Sequence, residues 1–493
     1  MVAGRGGPEP WRLRLVDGTG SVLGAGVQLG TRHVLTCAHA VFGLAHTLAG
    51  RVGAAPVAAR VVPGWWVPPG PDGRGDVAVL ELDEDLPAAG AVLRRTALSF
   101  DRLVHTYGYP DARGDGVWAR LHLAGRTGPG AEWLEMRGRT AAEPRLEPGF
   151  HGGGVVDDRT GAVLGIVVKR DRTDGSTRSW LSPVETIVAH VPDVARWVTG
   201  ESAADKVFSD RLDPAVELPD VARALADWLD RAALGDLVIT VAGADRHELY
   251  RLVSRADRES RRADADRVGG IDLAVDASGR TPEEVARRVV ARTGIDVEAG
   301  VRSSDLVRAG VPAMTVVVDA VDDATDPEAL LADVLRPLAA HGTRLVLGYR
   351  RASSPALDAA RAWEVDQRLG CLSRWITRGG RFDERTTGLR RRVTAIRGIV
   401  REFGVEKARD RLDRLTARVA ALPVDPPDER RELRGLLEAY QAKAHRAGLA
   451  EDPELTALYR VADHALAATP FDPGAAGNAV REYGLAVGRR ADP

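Results

Sequence analysis

One short stretch restricts the fold more than any other. PGFHGGGVVDD, residues 148–158, places glycine at 149 and again at 152, 153 and 154. Each glycine in a helix interior costs about 1 kcal/mol relative to alanine, so no helix runs through this turn. A valine pair follows. Then VVDDRTGAVLGIVV sets two apolar runs around a turn of Asp, Thr and Gly, which predicts a β-hairpin. The flanking sequence agrees: WRLRLV, VAVLEL and AEWLEM alternate with the period of half-buried strands. Helical spacing is weak until VETIVAHVPDVARWV at 184–198. Residues 1–200 therefore predict an all-β sandwich or barrel.

The pattern then changes. Residues 201–216 are polar and aperiodic and read as a linker. From 217 to 380 helix and strand alternate. LPDVARALADWLDRAA reads as an amphipathic helix, DLVITVAG as a strand, ELYRLVSRA as a helix and IDLAVDASG as a strand. Thr281-Pro282-Glu283-Glu284 opens a helix with a capping box and proline at its first position. MTVVVDAVDD and TRLVLGYRR read as strands around the helix DPEALLADVLRPLAA. Such alternation predicts a parallel sheet covered by helices. Residues 381–493 read as helical. Leu412, Leu415, Val419 and Leu422 share one face, and so do Leu433, Leu437, Tyr440 and Ala444. Asp452-Pro453 starts a further helix.

Composition sets outer bounds. The 493 residues suggest about three domains. The formal net charge of −2 gives no global field to recruit nucleic acid or an anionic membrane. Lysine occurs only at 169, 206, 407 and 443, so arginine carries nearly all positive charge, as in proteins of GC-rich bacterial genomes. Cys37 and Cys371 fall in different predicted domains, so no disulfide framework is expected. No signal-peptide core and no long apolar run is evident, which leads to the expectation of a cytoplasmic protein.

Three segments carry chemistry. TRHVLTCAHAV (31–41), GRGDVAVLEL (73–82) and PGFHGGGVVDD (148–158) occur in that order. The ordered set resembles the trypsin/chymotrypsin-like serine proteases over most of residues 10–197. The resemblance implies a double β-barrel with a site between the barrels, His39 as base, Asp76 as its orienting carboxylate, and a nucleophile position that holds His151 instead of serine. It implies an oxyanion hole from the amides of Gly149 and His151, and a substrate-flanking strand at Trp180, Leu181 and Ser182. Phe150 stands where secreted trypsins carry the aspartate that pairs with a cleaved N-terminus. A triad lacking one member retains only about 10³–10⁴-fold over water, and an imidazole crowds the carbonyl's approach. His39, His151 and Asp76 also form a two-histidine, one-carboxylate set, an alternative as a metal site. An active endopeptidase is a second alternative and would need Ser182, Ser179 or His151 itself as nucleophile. Cys37 reads as a buried structural thiol.

Residues 236–351 resemble a degenerate P-loop ATPase of the STAND type. Asp319, Asp322 and Asp323 match the acidic strand end that would hold Mg²⁺. The phosphate loop GxxxxGK[ST] is absent: VAGADRHE stands there, and no lysine lies between Lys206 and Lys407. Arg246 is not an equivalent of that lysine. The joint expectation is a pseudoprotease without a cofactor. It would hold a peptide or protein segment in its groove and serve a regulatory or signalling role, or one in defence, by resemblance to proteins that pair such domains. The helical region would self-associate. A nucleotide-binding switch is the remaining alternative.

Overall fold

In a computed structural model of the protein, the described residues are 9–491, apart from 45, 52–53, 72, 88, 100–101, 111–115, 128–131, 139–145, 147, 172–177, 209–237, 243–245, 260–269, 379–383, 404, 421–428, 450–451 and 468–472. The chain divides into two compact units, Met1–Cys371 and Leu372–Pro493.

The first unit begins with two closed six-stranded antiparallel barrels. In the first, β1 (Arg12–Val16), β2 (Val22–Leu29), β3 (His33–Thr36), β6 (Val77–Leu82), β5 (Val57–Val67) and β4 (Thr47–Gly50) follow one another around the wall. The second runs β11 (Gly154–Asp157), β8 (Leu103–Gly108), β9 (Val117–Thr127), β10 (Trp133–Arg137), β13 (Arg178–Pro183) and β12 (Val163–Asp171), and β12 closes it onto β11. Two short strands, β7 (Leu93–Arg94) and β14 (Val198–Thr199), extend the sheet from β12 in parallel.

The alternation read from the sequence is present, but VAVLEL is buried on both faces and exposes only Glu81. Ala78, Leu80 and Leu82 fill the first barrel. Val77 and Val79 face a separate apolar layer with Val156 and Ile166 from the second barrel. A strand in a barrel wall that is itself covered has no solvent face, so both positions of the period are apolar. The 184–198 segment splits at Pro192. Helix α1 (Val184–His190) packs Val184, Ile187 and Val188 into the shared layer, and a 3-10 turn Pro192–Trp197 follows. Proline cannot continue a helix from within because it lacks the donor.

The α/β part has four parallel strands in the order β15 (Val238–Ala242), β18 (Arg344–Tyr349), β17 (Thr315–Asp319), β16 (Leu273–Asp276). Helices α2 (Arg246–Ala256), α3 (Pro282–Thr293) and α4 (Ser303–Ala309) lie between strands. The Thr281 capping box is formed in full. The segment DPEALLADVLRPLAA is not one regular helix. A turn α5 (Pro327–Ala329) passes into a π segment Leu330–Leu335 and then α6 (Arg336–Ala340). Pro337 offers no N–H to the carbonyl four residues back, and a π turn absorbs that defect. The predicted helix at 217–232 lies outside the described residues. Of the residues read as a linker, 201–208 are packed: Ala204 bridges to Ala274, Phe208 is buried, and Asp205 pairs with Arg280 and Arg288. Residues 209–216 lie outside the described set. Helix α7 (Pro355–Arg378) closes this part.

The second unit is helical. Helices α8 (Glu384–Phe403) and α9 (Val405–Ala420) pair. Helices α10 (Glu429–Arg446), α11 (Pro453–Ala467) and α12 (Pro473–Ala491) enclose a core with Leu433, Leu437, Tyr440 and Ala444, one of the faces read from the sequence. Leu412 and Leu415 are buried, while the side chains of Val419 and Leu422 are outside the described set. Asp452 caps α11, accepting from the amides of Glu454 and Leu455. Among the described residues no helix is long and apolar enough to cross a membrane.

A buried polar seam fixes the barrels to the α/β part. Arg102 clasps Asp157 with two donors at 3.1 Å and also gives Nη1 to the Ala97 carbonyl at 2.6 Å and Nη2 to that of Thr293 at 2.9 Å. The Arg292 carbonyl accepts from the Ala97 amide and from Thr96 Oγ1. Burial pushes the Asp157 carboxyl up, but the bonds from Arg102 and then Thr160 outweigh this and hold it below the ordinary carboxylate range. The stability it contributes is therefore present above the unfolded value of about 3.9 and is lost as pH falls through the lower folded-state value. Asp157→Asn should cost on the order of 3 kcal/mol at pH 7, because Arg102 is left buried without its counter-charge. Urea midpoints of the two proteins should converge as acid protonates the wild-type carboxyl; a gap that persists unchanged in acid would refute the assignment.

Candidate active site

His39 and Asp76 meet because strand order puts β3 beside β6 in the first barrel. His39 sits in the 3-10 turn Ala38–Val41 just past β3. Asp76 immediately precedes β6 and is nearly buried. Its backbone is left-handed, φ 62°, directly after Gly75 at φ 92°. Aspartate tolerates that region better than most residues, and its side chain is fixed from two sides. Oδ1 accepts from the His39 amide at 2.9 Å and Oδ2 lies 2.7 Å from His39 Nδ1. An ionised carboxylate only accepts, so Nδ1–H of His39 is the donor. The other ring nitrogen, Nε2, lies 3.0 Å from Nδ1 of His151. With His39 neutral, Nε2 accepts and Nδ1–H of His151 donates. Asp76, His39 and His151 thus form one hydrogen-bonded line across the cleft, the two rings edge to face at 4.9 Å.

The turn that delivers His151 is held by both barrels. The His151 carbonyl accepts from Ala25 N–H at 2.8 Å in the first. In the second, Gly152 N–H donates to the Val167 carbonyl at 2.9 Å and Val167 N–H to that of Gly153 at 2.8 Å. Gly152 is left-handed at φ 79°, and a Cβ there would stand 2.2 Å from Thr36 Oγ1 and 2.3 Å from the Ala25 carbonyl. Phe150, the departure from an aspartate, is buried in the second barrel's core, packed over Gly108. An apolar anchor there needs no charged partner.

The surrounding elements place the other expected site residues as follows. Pro148–Phe150 form a 3-10 turn that leads directly into His151. Gly149 gives its own carbonyl to Tyr109 N–H at 3.0 Å. The strand assigned to substrate is corrected. Trp180, Leu181 and Ser182 lie on β13, which is paired on both edges, to β10 and to β12, so it offers a peptide no edge. Trp180 instead stacks on Trp133 at 5.4 Å. Ser179 and Ser182 are buried in the barrel wall and out of reach as nucleophiles. The strand with an edge to offer is β12. Beyond Val167 it pairs only with β13 among the described residues. The run GIVVKR, second half of the predicted hairpin, was its signal.

Asp76 spends both oxygens on His39, so it is not the third ligand of an ion between the histidines. Cys37 is close by, but its thiol donates to the Val167 carbonyl at 3.1 Å. Burial, and then the Asp76 carboxylate, pushes that thiol well above its ordinary pKa. It remains protonated and unreactive.

At the other end of the unit, Asp319 is fully buried and accepts from Tyr250 Oη at 2.7 Å. Asp322 accepts from the amides of Arg350 and Arg351 at 2.8 and 2.9 Å. Asp323 pairs with both guanidiniums, at 2.7 and 3.2 Å. These carboxylates brace the loop after β17 against the loop after β18. The Arg246 side chain and residues 243–245, where a phosphate loop would stand, lie outside the described set.

Residues 18–166 match the family model described as trypsin-like peptidase domain. No curated protein matches the chain. Among solved structures, the Rv3671c protease from M. tuberculosis in its active form is 22% identical, with 37% of this chain and 80% of that one covered and a TM-score of 0.30. The MamO protease domain from Magnetospirillum magneticum is 19% identical over 37% of this chain and 95% of that one, with a TM-score of 0.28. The serine endoprotease from Yersinia pestis is 16% identical over 38% and 63%, with a TM-score of 0.30.

Two glycines in the peptidase domain separate backbone strain from crowding. Gly161 is left-handed at φ 69° with open space around it, whereas Gly152 is left-handed and crowded. Gly161→Ala should cost about 1–2 kcal/mol. Gly152→Ala should cost clearly more, because Thr36 or the Ala25 carbonyl must also move. Equal urea midpoints for the two variants would contradict this packing of the His151 turn.

Proposed function

We propose that the peptidase domain is a pseudoprotease, a module that holds a peptide or protein segment without cutting it. The observation that carries this reading is the 3.0 Å contact of His39 Nε2 with an imidazole, His151. In the serine protease scheme that nitrogen takes the proton of an attacking hydroxyl. Here it faces a ring that is itself a weak acid. The other nitrogen of that ring, Nε2, is buried and so is closed to a substrate carbonyl. Past Val167, β12 pairs only with β13 among the described residues, which supports peptide binding by strand addition at its other edge.

On this reading the α/β part and the helical unit serve assembly and signalling. The bonds that Asp319, Asp322 and Asp323 make within the fold favour a structural role over Mg²⁺ binding. Retained machinery without a nucleophile fits a regulatory scaffold that recognises a segment and reports its presence.

The test is labelling by a serine-directed phosphonate, read by intact mass. Wild type should stay unlabelled. His151→Ser should label at the introduced serine, on the order of 10³-fold faster than wild type, and adding His39→Ala should abolish this. A labelled wild type would overturn the proposal, and the modified residue would name the nucleophile. A revertant that fails to label would remove the claim of a preserved triad geometry.

A further inference from the structure

Helix α1 has seven residues, yet its two ends reach different parts of the molecule. At its start, Glu185 Oε1 meets Arg292 Nη2 at 3.0 Å, and both side chains are almost wholly buried. Arg292 is on α3 of the α/β part. It also donates to the carbonyls of Asp272, at 2.9 Å, and Glu201, at 2.8 Å. Its guanidinium therefore fixes α1 to the parallel sheet by three directed bonds. At the end of α1, His190 Nε2 lies 3.2 Å from both oxygens of Glu132. The Glu132 carboxylate is buried. It accepts from the Gly75 amide at 3.4 Å, and the Glu132 carbonyl accepts from Thr186 Oγ1 at 3.1 Å. Gly75 directly precedes Asp76, and both are left-handed.

We infer that α1 is a mechanical link that couples the position of the α/β part to the loop carrying Asp76, and so to the orientation of His39. The inference rests on reading Asp76 and His39 as the retained part of a site, and it names how that site would be regulated. Five helical steps take Glu185 to His190, about 7.5 Å along the axis. Val184 to Val188 are all buried between the barrels, in a layer too close-packed for the helix to bend. A shift of α3 therefore moves α1 as a body. The loop it reaches is the least relaxed backbone of the site, two successive left-handed residues, and such segments have little tolerance for a change of support. Direct electrostatic coupling is the competing explanation and makes an opposite forecast.

The experiment follows the titration of His39 by NMR in the full chain, with ¹³C-labelled histidine and the resonance assigned by its loss in His39→Ala. Glu185→Gln and Arg292→Met are compared with wild type, each checked for folding by circular dichroism. Arg292→Lys replaces Arg292→Met if the latter does not fold. A mechanical link predicts that both variants move the His39 midpoint in the same direction by about 0.5 pH unit, roughly a threefold change in proton affinity. It also predicts that neither has an effect once His190→Leu and Thr186→Val together have cut both bonds from α1 to Glu132. Removal of a negative and a positive charge by Coulomb's law alone shifts the midpoint in opposite directions, and that outcome overturns the inference. So does the absence of any shift, or a shift undiminished by the paired substitutions at His190 and Thr186. The readout does not use residue 151. A His151→Ser protein that fails to label, beside a His39 that responds as described, sinks the triad reading and leaves the link standing.

Discussion

The first unit depends on one turn, residues 149–153, which belongs to both barrels at once. Its carbonyl at His151 is a hydrogen-bond acceptor for the first barrel, and its glycine amide and carbonyl at 152 and 153 pair with Val167 of the second. Each barrel closes by its own strand pairing, and this turn sets how the two faces meet. The apolar layer between them, with Val77 and Val79 from one side and Val156 and Ile166 from the other, is held in register by it. Only a residue without Cβ enters so close to Thr36 and Ala25. The glycines therefore answer to packing, whatever residue the turn carries at position 151.

The seam between barrels and parallel sheet follows another logic. Arg102, Asp157, Glu185 and Arg292 are charged and almost wholly buried. Their net contribution to stability is small, since desolvation offsets most of the attraction. Their geometry is demanding, because each guanidinium must find several acceptors at once. Such a seam does less for the strength of the joint than for its uniqueness: a slip of one residue strands a buried charge. The carbonyls of Arg292 and Thr293 serve as acceptors there. The carbonyl end of α3 thus becomes the docking point for the 96–102 segment.

Much of this was legible in the sequence, and the losses have physical causes. Period-two runs and turn residues marked the strands, and the resemblance carried by three ordered motifs implied that His39, Asp76 and His151 lie together. The Thr281 capping box fixed a helix start to the residue. Both-face burial of VAVLEL was not readable, because alternation shows that two faces differ and not what covers each. The substrate strand was misplaced for a related reason. Trp180-Leu181-Ser182 and Val167-Val168 are equally strand-like, and whether an edge is free depends on which strands arrive as neighbours. Glu132, His190 and Glu185 gave no signal at all. Each lies in an ordinary local context and acquires its role only through partners from distant elements, residue 75 for one and residue 292 for another. Asp322 and Asp323 misled in the other direction, since an acidic strand end looks alike whether its partners are a cation or the arginines of the next loop.

The retention of His39 and Asp76 beside an imidazole has its own explanation in hydrogen-bond accounting. A nearly buried carboxylate must be satisfied, and Asp76 obtains both its donors from one residue, the amide and Nδ1–H of His39. That pair is complete without a nucleophile. His151 adds a donor to the remaining nitrogen at ordinary hydrogen-bond length, as a hydroxyl would, but from a larger ring whose far nitrogen is buried. An imidazole at position 151 therefore leaves no unsatisfied group on His39 or Asp76. The orientation of His39 is determined by Asp76, and that of Asp76 by the two left-handed residues that present it. A substitution at 76 would strand His39 and empty a buried acceptor site.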